Sequence, residues 1–148
     1  MPKTTDYIVD ADFFISYLRA DELADTVETI LDVALEEGVF FLASSEIYDD
    51  IITAYRSKGY SVEEVKKLLV DIEAIPHETL PLTLKTATLA MNLYAKYGGP
   101  RKLHYFDAFH VATSIIQQKP LLTSDQFILE NSQAMGLQTI NLRPETHT

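Results

Sequence analysis

Aspartates stand at the ends of apolar runs or inside them, where a carboxylate needs a compensating charge. Asp10 ends the apolar run 7–9, Asp125 ends the run 120–124, and Asp107 lies inside an apolar stretch. An ionised carboxylate beside a hydrophobic core is costly unless something neutralises it. Two carboxylates about 4 Å apart repel by about 4 kcal/mol at an effective dielectric of about 20, so a cluster of them takes up protons or binds a cation.

The types of available ligand indicate which cation such a cluster would prefer. The chain has no cysteine, which excludes disulfides, zinc–thiolate sites, iron–sulfur clusters and thiolate catalysis. Carboxylate oxygens without clustered histidines suit hard ions such as Mg²⁺ or Mn²⁺. A water activated by such an ion is a natural nucleophile. The acidic residues therefore indicate a metal-dependent hydrolase as one candidate class.

Composition limits the remaining classes. The chain has 148 residues, 47% of them hydrophobic and 23% charged, which favours one globular domain over 1–148. Its net charge of −10 argues against broad electrostatic coating of nucleic acid, but not against an enzyme that contacts phosphates through metal ions and local basic residues. No apolar run approaches the roughly 20 residues of a membrane span. The start of the chain lacks a signal peptide's apolar segment, so we expect a cytoplasmic protein.

Alternating patterns of strands and helices predict a three-layer α/β/α fold around a central parallel sheet of about five strands. The predicted strands are 7–10, 39–43, 77–82, 121–124 and 137–142. The predicted helices are 13–19, 21–37, 46–57, 61–76, 83–97, 105–118 and 125–135. We expect Asp12 to cap the first helix, Ser44 and Ser45 to cap the third, and Ser61 to open the fourth with a capping box. Ligands in such sheets bind beyond the carboxyl ends of the strands, where Asp10 and Asp125 lie.

Four short segments of the sequence, in their order along the chain, resemble the PIN domain, and especially the small VapC-like ribonucleases. They are IVDADFF (8–14), SSEIYDDI (44–51), YFDAFHVAT (105–113) and LTSD (122–125). The resemblance implies a metal-dependent nuclease with catalytic acids at Asp10, Asp50, Asp107 and Asp125. Of these, Asp10, Asp107 and Asp125 would bind Mg²⁺ or Mn²⁺.

The chain departs from the family pattern near two of these acids. Ala11 stands where the family usually has Thr or Ser, and Asp12 stands where it often has Asn or Ser. Asp50 stands where it usually has Glu, and Asp reaches one methylene less far. Glu46, one helical turn earlier on the same face, is an alternative to Asp50.

Several further residues are auxiliary candidates. Asp12 could contact the metal, and Thr123 and Ser124 could hydrogen-bond a carboxylate or a phosphate. We predict that His110 is a core histidine bonded to the backbone. The candidate phosphate contacts are Arg56, Lys58, Arg101 and Lys102.

The leading hypothesis is an endoribonuclease that cleaves single-stranded or structured RNA with a metal-activated water, leaving 5′-phosphate and 3′-hydroxyl ends. The resemblance also implies a toxin with a small antitoxin partner, and a homodimer.

A second hypothesis is a PIN-like module that binds RNA or protein without cutting, which the short Asp50 and the missing hydroxyl at Ala11 would explain. A third is a haloacid dehalogenase-type phosphatase with Asp10 as nucleophile and Asp12 as acid. The bulky Phe13 and Phe14 argue against the third.

Overall fold

Parallel strands form the central sheet of the computed structural model, which describes residues 6–20 and 22–143. The strands are β1 (Tyr7–Val9), β2 (Phe41–Ser44), β3 (Glu78–Leu80), β4 (Leu121–Thr123) and β5 (Thr139–Asn141). Their order is β3-β2-β1-β4-β5, and every neighbouring pair is parallel. Strand order reverses between β1 and β4, so this is the point where such sheets bind ligands.

Helices cover both faces of the sheet. They are α1 (Ala11–Arg19), α2 (Ala24–Glu37), α3 (Ile47–Ser57), α4 (Val62–Glu73), α5 (Leu84–Tyr97), α6 (Tyr105–Gln117) and α7 (Gln126–Met135). Adjacent strand residues point to opposite faces. Val9 and Leu122 accordingly join a core cluster with α1 to α4, while Ile8 and Leu121 join a second cluster with α5 to α7. The predicted three-layer α/β/α fold is therefore confirmed.

The first helix begins earlier than predicted. Asp10 is its N-cap residue, with extended backbone angles of φ −97° and ψ −179°, and the helix starts at Ala11. The prediction that Asp12 caps this helix is wrong, because Asp12 lies within its first turn. The strand predicted over 7–10 therefore ends at Val9, and the next residue already turns the chain into the helix.

Other element boundaries shift by a few residues. The third helix begins at Ile47, with Glu46 at the N-cap position, and Ser44 Oγ accepts a hydrogen bond from the Glu46 N–H at 3.2 Å. The capping box of Ser61 is confirmed, because Ser61 and Glu64 exchange reciprocal hydrogen bonds of 3.1 Å. The predicted second helix began at residue 21, which lies outside the described residues, and the observed helix begins at Ala24.

Within the described residues, no helix is both long and apolar enough to cross a membrane. The predicted absence of a signal peptide concerns a stretch whose first residues, 1–5, lie outside the described part of the chain.

Candidate active site

The carboxyl ends of β1 and β4 are joined by the side chain of Thr123. This residue is fully buried, and its hydroxyl donates a hydrogen bond to Asp10 Oδ2. Thr123 Oγ1 in turn accepts a hydrogen bond of 3.1 Å from the Asp125 N–H. Asp125 caps α7 with its own side chain, because its Oδ1 accepts from the Ile128 N–H at 2.9 Å. Thr123 therefore orients acidic residues from two neighbouring strands.

Asp10 is the most deeply buried acid of this group. Its side chain is 2% exposed, and its Oδ1 is buried with no hydrogen-bond partner among the described residues. Burial raises the pKa of Asp10 well above its ordinary value, and the nearby charges of Asp12 and Asp107 raise it further. The hydrogen bond from Thr123 partly offsets this rise. A buried carboxylate in this environment requires a proton or a cation.

Asp12 faces the same site from the first turn of α1. Its Oδ2 accepts a hydrogen bond from Ser124 Oγ at 3.1 Å. Loss of hydration in the crowded site is the largest cause of the raised pKa of Asp12, even though the residue is exposed at the cavity. The charges of Asp107, Asp125 and Asp50 add to this rise, which shows that α1, α3 and α6 direct acids toward one region.

Asp107 lies in the first turn of α6, at the edge of the buried surface. Its side chain is only 16% exposed, so solvent reaches a small part of this acid. Asp107 Oδ2 lies 3.4 Å from His104 Nδ1, and this contact is the main cause of the raised pKa of His104. One ligand atom each from His104, Asp107 and Asp125 lies within 4.8 Å of the others. Burial is the main cause of the raised pKa of Asp125.

Asp50 enters the site from α3 and contacts a histidine of α6. His110 Nε2 lies 2.9 Å from Asp50 Oδ2, and His110 is fully buried. The prediction that His110 is a core residue holds, but its hydrogen-bond partner is a carboxylate and not the backbone. Single ligand atoms of Asp50, Asp107 and His110 also lie within 4.8 Å of one another.

A cavity of about 400 Å³ opens over these acids. Its lining includes Asp12, Asp50, Asp107 and Asp125. Asp10 does not line the cavity, and it belongs to neither of the two groups within 4.8 Å. Those two groups are the only ones of their kind in the part of the chain that the structure describes. Glu46, the alternative to Asp50, does not line the cavity.

Basic residues also line this cavity, although only one of them was a candidate from sequence. Lys58 lies at its edge, as does Arg19 from the last turn of α1. The other predicted phosphate contacts do not line the cavity: Arg56 donates a hydrogen bond to the Tyr60 carbonyl, and Arg101 and Lys102 are exposed in the turn before α6.

Sequence reasoning missed Arg19 and His104. A helical pattern could have indicated Arg19, because it follows Asp12 by seven positions and so returns to the same face of α1. His104 precedes Asp107 by three positions and is the N-cap residue of α6. That spacing brings the side chain back toward the first turn of its own helix.

The donor set fits a divalent cation. Asp12, Asp50, Asp107 and Asp125 line the cavity, and the buried Asp10, whose Oδ1 has no partner among the described residues, feels the charges of Asp12 and Asp107. Oxygen donors suit Mg²⁺ and Mn²⁺, and the histidine nitrogen of His104 makes the set more suitable for Mn²⁺ than carboxylates alone would be.

Comparison with known proteins assigns the family. The model of the PIN domain family matches residues 7–130. The chain belongs to the PIN domain family. The resemblance of the four sequence strings to PIN domains is therefore confirmed. This assignment favours the PIN hypotheses over the haloacid dehalogenase-type phosphatase.

Several solved structures with a similar fold contain bacterial toxin–antitoxin proteins. One match is a chain of VapBC2 from Rickettsia felis, in a structure of VapBC2 bound to a DNA fragment from the VapBC2 promoter. It has a TM-score of 0.67 and 16% identity, and the match covers 93% of this chain and 98% of that chain. A chain of DNA-bound VapBC from Salmonella typhimurium matches with a TM-score of 0.66 and 12% identity, over 94% and 99%. A chain of VapBC-1 from nontypeable Haemophilus influenzae matches with a TM-score of 0.64 and 14% identity, over 93% and 98%. At these identities the similarity demonstrates a shared fold.

Among curated proteins, none matches this PIN chain significantly in sequence.

Proposed function

We propose that this PIN domain is a metal-dependent endoribonuclease. The observation that carries the proposal is the convergence of four acids on one cavity, together with an Asp10 whose buried Oδ1 has no partner in the described structure. A purely structural cluster of this kind would be destabilising, because like charges repel and burial penalises each ionised carboxylate. A site for cations resolves both penalties at once.

The proposed metal ligands are Asp10, Asp107 and Asp125, and Asp50 is the fourth catalytic acid, which completes the set around the ion. A bound Mg²⁺ or Mn²⁺ would supply Lewis-acid stabilisation of phosphate charge and would activate water for attack on the phosphodiester. The protein's own contribution is to orient the acids. Thr123 holds Asp10 beside the Asp125 backbone, and Ser124 holds Asp12.

Substrate contacts in this proposal come from the basic edge of the cavity. Arg19 and Lys58 line the same cavity as the acids, and no ion pair in the described structure involves either residue. They can therefore contact the phosphates of single-stranded or structured RNA. The net charge of the chain is −10, so its overall electrostatic field repels RNA. A few local basic residues must therefore supply the attraction to the phosphates.

The biological role we propose is that of a toxin controlled by a small antitoxin. Support comes from the toxin–antitoxin complexes that share this fold. We also propose that the protein acts in the cytoplasm as a homodimer. Co-purification with the product of an adjacent small reading frame, with light scattering to determine the stoichiometry, tests the partner and the oligomeric state together.

Cleavage of single-stranded RNA with Mg²⁺ or Mn²⁺ tests the enzymatic proposal. We expect cleavage that EDTA abolishes and that Asp107→Asn reduces by at least about 100-fold, since loss of a metal-binding carboxylate removes transition-state charge stabilisation. Asp49→Asn is the matched control, because Asp49 is an exposed acid of the same helix as Asp50, and should cleave like wild type. Equal cleavage by wild type and Asp107→Asn would refute the proposal.

A non-catalytic RNA-binding or protein-binding module is the alternative, and the absence of a hydroxyl at Ala11 on the cavity wall favours it. The two functions differ in their response to metal. A metal-binding site raises the melting temperature when Mn²⁺ is added, because the ion binds the folded state. No shift at millimolar Mn²⁺, together with RNA binding, would support the alternative.

A further inference from the structure

His110 is fully buried in α6, yet its imidazole contacts an acid that lines the cavity. The atoms in contact are His110 Nε2 and Asp50 Oδ2, 2.9 Å apart, on helices that are distant in sequence. An ionised carboxylate only accepts hydrogen bonds. The proton of this bond therefore belongs to His110 Nε2, which donates it to Asp50.

The other ring nitrogen supports the same tautomer. His110 Nδ1 is buried and has no hydrogen-bond partner in the described part of the chain. A proton on Nδ1 would place an N–H donor in the core without an acceptor, which is unfavourable. The tautomer with its proton on Nε2 avoids that state. Its Nε2 lone pair is then not available to a metal ion.

A role for His110 as a direct metal ligand is also disfavoured by its surroundings. Histidines that bind metals almost always donate their second ring N–H to a carboxylate, a carbonyl or water. The buried Nδ1 of His110 has no such acceptor among the described residues. His110 therefore fits the role of a residue that orients a carboxylate, although one of its ring nitrogens lies within 4.8 Å of ligand atoms of both Asp50 and Asp107.

We propose that His110 is a positioning residue that fixes the Asp50 carboxylate toward the cavity. It thereby increases the affinity of the acidic site for a divalent cation. This inference rests on the proposed function of the site. The hydrogen bond occupies one oxygen of Asp50 and leaves the second for a cation. It also restricts rotation of a short side chain, whose single methylene gives it little reach into the site. The bond joins α3 to α6 at the point where both contribute acids to the cavity.

Isothermal titration of the metal-free protein with MnCl₂ tests this inference without relying on RNA cleavage. We expect His110→Leu to weaken Mn²⁺ affinity by about 10- to 100-fold, as loss of a partner of a metal ligand commonly does. His110→Gln should retain most of the affinity, because its terminal amide nitrogen occupies about the position of Nε2. Thr113→Val is the matched control: Thr113 is a buried polar residue one turn later in α6 that bonds only within its helix, and this variant should bind like wild type.

Melting temperatures in EDTA separate positioning from a structural role. His110→Leu removes an unpartnered buried nitrogen as well as the donor to Asp50, so a positioning role predicts a small change in melting temperature with a loss of Mn²⁺ affinity that His110→Gln does not share. A structural role predicts a lower melting temperature for the Leu and Gln variants alike. Wild-type Mn²⁺ affinity in His110→Leu, or equal weakening by Gln and Leu, would overturn the inference.

A second pair of variants keeps the test decisive if His110→Leu does not fold. His110→Asn carries the same amide as Gln, but its nitrogen lies near the position of Nδ1 and does not reach Asp50. Mn²⁺ should therefore bind more weakly to the Asn variant than to the Gln variant, and equal affinities would overturn the inference. If wild type itself binds no Mn²⁺, the proposed metal site fails and the inference fails with it. If wild type binds and the His110 variants are unaffected, only the inference fails.

Discussion

Thr123 and Asp10 lie 113 positions apart in the chain and share a buried hydrogen bond at the carboxyl edge of the sheet. The bond stabilises the ionised form of Asp10 against burial and against the charges of Asp12 and Asp107. Thr123 also accepts from the Asp125 N–H, so one hydroxyl connects the ends of β1 and β4.

Thr123→Val should destabilise the protein by about 1–3 kcal/mol, because the buried Asp10 oxygen and the Asp125 N–H both lose their partner. Urea unfolding in EDTA at pH 7.5 measures the difference. Thr113→Val is the matched control, since it removes a buried hydroxyl that serves only one carbonyl of its own helix. A loss no larger than that of the control would show that Thr123 has no special role.

The metal-free protein should become more stable as the pH falls from neutral toward about 4, the ordinary pKa of aspartate. The pKa values of Asp10, Asp12 and Asp125 are raised in the folded state, so the folded protein binds more protons than the unfolded chain in this range. The raised pKa of His104 acts in the same direction, because its protonated form is favoured by folding. Thermal melts in EDTA between pH 7.5 and 5.5 measure this effect.

Asp10→Asn provides the control for this pH dependence. The amide cannot ionise, so the variant should melt at a higher temperature than wild type at pH 7.5 in EDTA and should show a flatter dependence on pH. Saturating Mn²⁺ should reverse the wild-type trend, because protons compete with the cation for the same carboxylates. A melting temperature that falls on acidification in EDTA, in wild type and variant alike, would contradict the assigned pKa directions.

Ser61→Ala should lower stability by about 1 kcal/mol, since it removes the hydroxyl that accepts the Glu64 N–H at the start of α4. The capping box lies outside the cavity lining, so Mn²⁺ affinity should not change. Urea unfolding and MnCl₂ titration of the same sample measure both quantities. A simultaneous loss of metal affinity would mean that α4 supports the site.

Sequence patterns predicted the strands and the acids at their ends because these depend on local chemistry. Asp10 and Asp125 each end an apolar run, and parallel strands bring their carboxyl ends to one edge of a sheet. The capping box of Ser61 is equally local, and it was predicted correctly. The start of α1 was not, because Asp10 and Asp12 are both good N-cap residues and only the observed backbone distinguishes them.

The partners of the site residues were harder to predict because they depend on packing between distant segments. His110 and Asp50 are 60 positions apart, and a histidine within an apolar helix is equally compatible with a backbone hydrogen bond. Asp107 has apolar neighbours in sequence, but the first turn of α6 lies at the edge of the core, so solvent reaches its side chain. Only the three-dimensional arrangement distinguishes these cases.

Arg19→Ala and Lys58→Ala should each weaken binding of single-stranded RNA. Each substitution should also reduce the slope of log affinity against log salt concentration by about one, the contribution of one phosphate contact. Both residues line the acidic cavity and form no ion pair among residues 6–20 and 22–143, so their charges are available to phosphates. Fluorescence anisotropy with the Asp107→Asn background measures binding without cleavage. The loss should be similar for unrelated RNA sequences, because phosphate contacts carry no base information.

Lys66→Ala is the control for net charge in this experiment. Lys66 is exposed on α4 and paired with Glu63, outside the cavity lining, so its loss changes the total charge equally without removing a proposed contact. If Lys66→Ala weakened RNA binding as much as Arg19→Ala, the effect would come from the overall field of the protein. If only Arg19 and Lys58 mattered, RNA would approach the acids across the face between the end of α1 and the end of α3. That face would then account for how a chain with a net charge of −10 binds a polyanion.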